Sequence, residues 1–531
     1  MISPRALPPN RSYDGTGNNP DHPRRGSVGE PFARVVSFAY SDDVSEPSGP
    51  DRPNARAISN KLCKQIGSIS NRRRLSDLAG AWALLVSHEL ISFRAAEPAE
   101  PFGIPVPDDD EVFEPGSTIP VTRALYDIST GRSPRNPRRQ VMNTTSYLDA
   151  SAIYGIDATR AAALRTFAGG GMKTSDGNLL PLNTLGLPNR VPGSHFFLAG
   201  DERANTTFAL GALHPLFVRE HNRLANEIAG SQGGLSDEDI YQRARRIVGA
   251  QIQVITYGEF LPALLGPHAP SGSVAYDPAV DTGVSELFSV VGFRFGHSTL
   301  PPRFVLQYDN GEVRSGPQRN SFFNVEVIKR DGLDPIFRGL ASQPAQEIDL
   351  RVIDDIRHQT IRFGVKIDLV AYDVQSAREF GIPNYVRARM DLGLPPIQDF
   401  ADITSDPKLQ RALQTVYGDV ERIDPLIGGL SEDHVRDSSL GAFFTRILVE
   451  QFERSRRGDR FWFENDPAFS RDEREGLKHT RLADIIRRNT GISEVAENVF
   501  FAPETELGGV KLEARQESLA NRELLSSVLI D

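Results

Sequence analysis

The stretch LHPLFVREHNRLANEI (Leu213–Ile228) has the apolar spacing of a long helix packed inside a protein. Leu213, Leu216, Phe217 and Leu224 recur at intervals of three, four and seven residues, which places them on one helical face. The same spacing recurs along the chain. It predicts helices over residues 75–93, 209–229, 237–260, 284–296, 354–375, 383–392, 408–417 and 440–457.

Signals for β-structure are scarce. Residues 303–316 (RFVLQYDNGEVRSG) predict a hairpin, because Asn310-Gly311 is a favoured pair for a tight turn between strands. No internal repeat period is present. The sequence therefore predicts a mainly α fold, built as one large helical domain with few short β-hairpins.

The N-terminal part of the chain differs from the rest. Residues 1–55 are rich in Pro, Gly and Asn and lack helical periodicity, so we expect an extended N-terminal arm. Residues 56–531 are expected to form the single helical domain.

Composition excludes several classes of protein. The chain has 531 residues, 24% of them charged, and a net charge of −10, which disfavours a nucleic-acid partner. Cys63 is the single cysteine, so no intramolecular disulfide can form. We expect no membrane span, because no run of about 18 apolar residues occurs. We also expect no signal peptide, because the N-terminus lacks the apolar core of a secretory signal.

Four histidines lie in apolar helical surroundings. His88 is followed by Glu89 inside AWALLVSHELISF (81–93), but Ser92 stands where an H-E-x-x-H zinc motif needs histidine. His214 and His221 are two helical turns apart, about 10 Å along the axis, which is too far for one metal ion. The plain alternative for each is a core histidine with satisfied hydrogen bonds.

The fourth, His297, ends the segment SELFSVVGFRFGHSTLPP, since Pro301-Pro302 cannot continue a helix. Arg294, three residues earlier, is predicted to share its face. A cation beside a histidine in apolar surroundings is costly unless an anion meets it. Heme satisfies both residues, with iron for the imidazole and a propionate for the guanidinium.

Six blocks of sequence resemble the animal-type heme peroxidases, the peroxidase–cyclooxygenase superfamily. The helix 213–228 resembles the signature helix of that family. The other blocks follow in the family's order and span roughly residues 50 to 505. They are TSYLDASAIYG (145–155), GDERAN (200–205), FRFGH (293–297), IDPLIGGLSED (423–433) and GDRFWFEN (458–465).

The resemblance implies a role for each matching residue. His88 is similar to the distal histidine, which moves protons, and Arg203 to the distal catalytic arginine. His297 is similar to the proximal axial ligand of the heme iron, and Arg294 to the residue that binds a propionate. Asp373 stands where the family typically has an asparagine that accepts the proximal histidine's N–H. A carboxylate there should lower the potential of the iron.

The loop TSYLDAS is similar to the family's calcium site. Thr145, Tyr147, Asp149 and Ser151 place oxygen groups at every second position, and oxygen ligands suit Ca²⁺. Glu89 would supply a further oxygen in place of the family's usual aspartate. The plain alternative is a turn with capping side chains.

Three further positions depart from the family pattern. Mammalian members attach heme through ester bonds to acids at the positions of Ser87 and Thr206, so the resemblance here implies noncovalent heme b. Leu84 replaces the glutamine associated with halide binding. Because Leu84 lies one turn before His88, we expect it to line the cofactor pocket and make halide oxidation poor.

The implied function is reduction of hydrogen peroxide, with one-electron oxidation of small aromatic donors and a role in the response to oxidative stress. One alternative is a fatty-acid dioxygenase of the same superfamily, which needs a tyrosine where Arg294 stands. Another is a non-catalytic heme-binding or adhesive protein, which needs neither His88 nor Arg203. We expect a soluble chain, either cytoplasmic or exported by a non-classical route, although the family is often extracellular.

Overall fold

The computed structural model describes residues 9–231, 233–360 and 366–504, and within them the chain is mainly helical. The helices are α1 Ala55–Leu62, α2 Asp77–Leu90, α3 Ser151–Tyr154, α4 Ala158–Leu164, α5 Phe208–Ser231, α6 Asp237–Ile255, α7 Leu261–Leu265, α8 Glu286–Val290, α9 Val325–Asp331, α10 Asp334–Ser342, α11 Asp354–Arg357, α12 Leu369–Glu379, α13 Tyr385–Asp391, α14 Pro407–Tyr417, α15 Pro425–Ser431, α16 Ala442–Arg457, α17 Arg471–Lys478 and α18 Leu482–Asn489. A π-helical turn, Thr256–Phe260, joins α6 to α7.

Strands occur as short antiparallel pairs. The pairs are β1 Ile104–Pro105 with β2 Thr118–Ile119, β3 Arg303–Gln307 with β4 Val313–Pro317, and β5 Gln359–Thr360 with β6 Lys366–Ile367. The hairpin predicted over 303–316 is confirmed as β3–β4, with Arg303 opposite Pro317. Gly311 takes a φ of +84°, which glycine adopts without strain.

The core is built around α2 and α5. Helix α2 packs against both α5 and α10, and α5 packs along α6. Trp82 of α2 is fully buried and lies 5.9 Å from the ring of Phe217 of α5. Because α2 is apolar on nearly every side, its few polar groups lie inside the protein. No helix of the described residues is long and apolar enough to cross a membrane.

The helix predicted over 284–296 is wrong in its second half. Helix α8 ends at Val290, and a 3₁₀ helix, Gly292–His297, follows. A Cβ atom added to Gly292 would lie 2.4 Å from a methyl group of Ile447, so the chain here approaches α16 too closely for any side chain. The predicted helix therefore ends where the chain packs closely against α16. No local sequence pattern indicates that contact.

The helix predicted over 354–375 is also wrong. The structure has the short helix α11, the β5–β6 pair and then α12, while residues 361–365 lie outside the described residues. Asp368 starts α12, because its carboxylate accepts hydrogen bonds from the N–H groups of Val370 and Ala371. The apolar spacing predicted helix correctly at α11 and α12, on the two sides of this interruption.

The predicted arm carries no helix between residues 9 and 54 and lies along the helical domain. Phe32 is fully buried and packs edge-on against Phe380. Arg34 forms an ion pair with Glu286 at the start of α8. Residues 1–8 of the arm and 505–531 of the predicted domain lie outside the described residues, and the division at residue 55 stays a prediction.

Candidate active site

Helix α2, the 3₁₀ helix Gly292–His297 and helix α12 enclose a cavity of about 500 Å³. His88 of α2 and His297 of the 3₁₀ helix both line it, although they are 209 positions apart in the sequence. The wall also contains the predicted site residues Arg203, Arg294, Asp373 and Leu84. The fold therefore gathers the proposed heme-site residues around one cavity.

His297 is held on one side by a carboxylate. Its Nδ1 lies 2.7 Å from Oδ2 of Asp373, whose side chain is 2% exposed. A neutral imidazole that donates Nδ1–H in this way keeps an unprotonated Nε2, which is the form that ligates a metal. The ring of His297 is 26% exposed and that surface lines the cavity, so the free nitrogen is accessible to a cofactor.

Arg294 lies one 3₁₀ turn before His297. Side chains three residues apart eclipse one another in a 3₁₀ helix, so both residues face the same region. Nε of Arg294 donates to the carbonyl of Ser289 and lies 3.8 Å from Oδ1 of Asp373. The guanidinium thus has one carbonyl and one carboxylate near it, and it retains Nη groups that could meet an anion in the cavity.

His88 stands on the last turn of α2 with its side chain 7% exposed. Burial lowers the pKa of His88 well below its usual value, and the nearby Arg203 guanidinium lowers it further. The ring is therefore neutral at physiological pH. Its Nδ1 is buried without a hydrogen-bond partner, and the nearest acid is Asp201, with Oδ1 at 3.5 Å.

Arg203 is fixed beside the same ring. Its Nη1 donates to the carbonyl of Ile91 at 2.7 Å, and its Nη2 donates to the carbonyl of His88 at 3.0 Å. Nε lies 3.0 Å from Oδ1 of Asp201. Burial acts to raise the pKa of Asp201, but Arg203, through its charge and its hydrogen bonds, holds it well below its usual value. The acid is therefore ionised beside the arginine.

The departures noted in the sequence lie on the cavity wall. Ser87, Leu84 and Thr206 all line the cavity with His88. Neither hydroxyl can form a carboxylate ester with a cofactor. Leu84 adds an apolar surface one helical turn from His88, so this side of the cavity is drier than a glutamine would make it.

The predicted calcium residues lie together on the other side of α2. Oγ1 of Thr145 is 2.9 Å from Oδ2 of Asp149 and 3.4 Å from the carbonyl oxygen of Tyr147. Oγ of Ser151 is 3.4 Å from Oε2 of Glu89. Oxygens that surround one Ca²⁺ at 2.3–2.6 Å lie about 3.4 Å from their neighbours, so these spacings fit a shared cation.

The charges of this loop support the same interpretation. Glu89 and Asp149 are both buried. Burial and the nearby Asp149 carboxylate raise the pKa of Glu89 to about 8, and burial also raises the pKa of Asp149. Two buried carboxylates close together are costly even with the Arg11 and Arg245 guanidiniums near Asp149, and a divalent cation lowers that cost. Among the described residues no cluster of three or more His, Cys, Asp or Glu side chains is placed to hold a metal, so this loop would rely partly on neutral oxygens.

A short peptide segment connects this loop to Asp201, the acid beside His88 and Arg203. The N–H of Ala152 donates to Oε1 of Glu89 at 2.8 Å, and the N–H of Ser151 donates to its Oε2 at 3.1 Å. The carbonyl of Ala152 accepts from the N–H of Asp201 at 2.9 Å. Glu89 and Asp201 are therefore joined through one residue.

Two features of the site were missed by the sequence reasoning. Asp201 lies inside the quoted block GDERAN, two residues before Arg203, and that proximity was the only available signal. Arg190 lines the cavity from a loop without a recognisable motif. Burial raises the pKa of Tyr372, and the guanidiniums of Arg294 and Arg190 oppose that rise, so two cations lie near this phenol at one edge of the cavity.

Comparison with known proteins shows which sequences this chain is similar to. The family model described as "Animal haem peroxidase" matches residues 10–500. Peroxinectin A of Dictyostelium discoideum is 35% identical over 515 residues, which cover 92% of this chain and 95% of that protein.

Solved structures show the same fold. Peroxidase A from Dictyostelium discoideum superposes with a TM-score of 0.86 at 33% identity, covering 93% of this chain and 99% of its own. A fatty acid alpha-dioxygenase of Oryza sativa gives a TM-score of 0.79 at 22% identity, covering 90% of this chain and 84% of its own. The second likeness concerns the fold alone.

Proposed function

The chain belongs to the animal heme peroxidase family and is a heme-dependent peroxidase, and we propose that it reduces hydrogen peroxide and oxidises small aromatic donors in one-electron steps. The observation that carries this proposal is the placement of His88 and His297 on one cavity, with Arg203 beside His88. One histidine can ligate a metal while the other stays free to move protons.

The proximal residues are proposed to hold heme b. His297 would ligate the iron through Nε2, because its Nδ1 is engaged with Asp373. Arg294 would bind a propionate through its free Nη groups. When bound, the heme would supply the redox-active iron for the reduction of peroxide.

The distal residues are proposed to handle the proton and the charge. The neutral ring of His88 takes a proton from one peroxide oxygen and returns it to the other, first as base and then as acid. The Arg203 guanidinium stabilises negative charge on the departing oxygen. Nε and Nη2 of Arg203, and one Nη1 hydrogen, are used by Asp201 and two carbonyls, so one Nη1 hydrogen remains for peroxide.

The mode of heme attachment and the choice of donor follow from the cavity wall. Ser87 and Thr206 offer no carboxylate, which supports noncovalent heme b. Leu84 makes the distal side apolar, which favours aromatic donors over halide ions. Calcium is proposed for the loop of Thr145, Tyr147, Asp149 and Ser151 with Glu89, on the spacing and the charges described above.

The alternatives are weaker. A dioxygenase of this superfamily would need a radical-forming tyrosine at the position of Arg294, and arginine cannot take that role. A purely heme-binding or adhesive protein would have no use for a neutral histidine held against an arginine. The presence of both His88 and Arg203 beside the cavity supports the peroxidase instead.

The test combines spectroscopy and rapid mixing. Heme-loaded protein should show a Soret band that changes within milliseconds to seconds of peroxide addition and returns when an aromatic donor such as guaiacol is added. Protein that binds heme but keeps an unchanged spectrum with peroxide would contradict the proposal. Oxygen consumption with a fatty acid, in the absence of an aromatic donor, would favour the dioxygenase.

A further inference from the structure

We propose that Asp201 is a positioning residue for the peroxide reaction, because it holds the proton-moving ring of His88 and the guanidinium of Arg203 in one fixed arrangement. The inference rests on the proposed function, and it adds a residue whose role no motif indicated. Asp201 itself lines a different pocket and does not line the heme cavity, so it would act through its two neighbours.

The contact with Arg203 is extensive. Oδ1 of Asp201 accepts from the backbone N–H of Arg203 and lies 3.0 Å from Nε, and Oδ2 pairs with Nη2. A carboxylate that contacts both a residue's backbone and its guanidinium fixes the whole side chain in one rotamer. The remaining Nη1 hydrogen of Arg203 is thereby held in one position. It can meet peroxide without a rearrangement of the Arg203 side chain.

The contact with His88 concerns its tautomer. Oδ1 of Asp201 lies 3.5 Å from Nδ1, and Nδ1 is buried without any hydrogen-bond partner. A proton on Nδ1 therefore gains from the facing carboxylate, whereas a lone pair there would meet a negative charge. The proton stays on Nδ1, and Nε2 keeps the lone pair that can accept a proton from peroxide.

The backbone of Asp201 is itself held in place by a hydrogen bond. Its N–H donates to the carbonyl of Ala152, and its side chain is 9% exposed. His214 of α5 is also buried, and it lies near both the Asp201 carboxylate and the backbone of Ala152. Asp201 is therefore the anionic centre of a buried group that contains two imidazoles and one guanidinium.

A polar pocket gives solvent access to this acid. The pocket has a volume of about 200 Å³ and shares His88 and Arg203 with the heme cavity. Asn143 and Thr144 contribute polar groups to its wall. A small solute can therefore reach the place of the Asp201 carboxylate without passing the cofactor.

The first experiment compares Asp201→Asn and Asp201→Glu with wild-type holoenzyme, after heme content is matched by absorbance. Asparagine keeps the shape but removes the charge that favours a proton on Nδ1 of His88, and its NH₂ group in place of Oδ2 would face Nη2 of Arg203. We expect kcat/KM for peroxide to fall by about 10²-fold, as expected for loss of an oriented acid–base group, while kcat/KM for the aromatic donor changes little. Asp201→Glu should recover part of the loss.

Asp157→Asn is the matched control. Asp157 is exposed and lines the polar pocket but not the heme cavity, and asparagine can still cap helix α4 at this position. This variant should keep the wild-type rate constant for peroxide. A wild-type rate in Asp201→Asn, or equal losses in the peroxide and donor steps, would overturn the proposal.

Chemical rescue gives a second test. Asp201→Ala leaves a space that opens into the polar pocket, where formate could take the place of the carboxylate. Sodium formate should therefore raise the peroxide rate of this variant by about tenfold or more, which is part of the acid–base contribution. Formate should not restore Asp201→Asn, because the amide still fills the space. An equal formate effect in both variants, or none in Asp201→Ala, would count against the proposal.

A third measurement does not require any Asp201 variant to fold. Wild-type protein labelled with ¹⁵N-histidine, with His88→Gln used for assignment, should show His88 protonated at Nδ1. Protonation at Nε2 would overturn the proposal. If heme-loaded wild-type protein does not react with peroxide, the proposed function is wrong. If the wild type reacts and Asp201→Asn reacts at the same rate, only the inference about Asp201 is wrong.

Discussion

Oδ2 of Asp373 lies 2.7 Å from Nδ1 of His297, so the proposed proximal ligand shares its proton with a carboxylate. The carboxylate side chain is 2% exposed, and burial strengthens its effect on the ring. The imidazole thereby gains anionic character.

Asp373→Asn is expected to raise the midpoint potential of the heme iron, on the order of 100 mV within the range of about 0.8 V that ligands and their surroundings produce. The amide accepts the same hydrogen bond without the negative charge. Spectroelectrochemical titration measures the potential. A value equal to wild type, or lower, would show that the carboxylate does not polarise His297.

Heme should leave the wild-type protein in acidified organic solvent, since Ser87 and Thr206 provide no carboxylate for an ester. The partition of the Soret absorbance between solvent and polypeptide measures this. Ser87→Asp, after treatment with peroxide, serves as the comparison and should retain part of its heme. Heme that stays with the untreated wild-type chain would refute noncovalent attachment.

Bromide oxidation should be slow compared with oxidation of an aromatic donor, because Leu84 makes the wall beside His88 apolar. Leu84→Gln should raise the bromide rate and leave the donor rate within about a factor of a few, as a change confined to one cavity-wall residue suggests. Monochlorodimedone bromination and guaiacol oxidation are the two assays. Comparable bromide and donor rates in wild type would contradict the prediction.

Calcium should stabilise the protein through the two buried carboxylates. Asp149→Asn removes one of them, and we expect less bound calcium by elemental analysis and a Tm that no longer rises with added Ca²⁺. Asp176→Asn, on an exposed loop residue, is the matched control and should behave as wild type. If the Tm of the wild-type protein changes with neither added Ca²⁺ nor a chelator, the loop is a turn with capping side chains and does not bind calcium.

Glu259 should make stability depend on pH. Burial raises the pKa of Glu259 to about 7, and its Oε2 accepts the N–H of Leu482 at 2.8 Å. Between the unfolded value of 4.5 and about 7, the folded state keeps a proton that the unfolded state loses. The free energy of unfolding therefore falls as pH rises through this window, by up to about 3 kcal/mol, and is level above it.

Glu259→Gln removes this titration, so its Tm should exceed that of wild type at pH 8 and match it more closely at pH 5. Glu494→Gln, at an exposed position, should follow wild type at both values. A Glu259→Gln variant that tracks wild type at every pH would mean that the carboxyl titrates normally.

The sequence predicted those helices and turns that are determined by residues within the element itself. Helices α2 and α5 show their apolar spacing directly, and Asn310-Gly311 marks the hairpin turn. The break at Val291 depends on the close approach of Gly292 to Ile447, which is distant in sequence, so no window of sequence contains that contact. The β5–β6 pair joins residues only a few positions apart, but the sequence between them has no favoured turn pair to indicate it.

The candidate site divides in the same way. Residues such as His88, Arg203 and His297 stand in recognisable blocks and were predicted from them. Asp201 stands in a block too, but its importance comes from the nearness of His88 and His214, which belong to other helices. Arg190 has no motif, and its nearness to Tyr372 becomes visible only when the chain is folded.

The connection through Ala152 has a consequence for how the metal loop and the distal site communicate. Glu89 accepts the N–H of Ala152, and the carbonyl of the same residue accepts the N–H of Asp201. A cation that draws Glu89 toward Thr145 and Asp149 would move this peptide, and with it the carboxylate that faces His88. Loss of calcium should then slow the response to peroxide at temperatures where the helices are still intact, which would make the ion a tuning element for reactivity as well as a support.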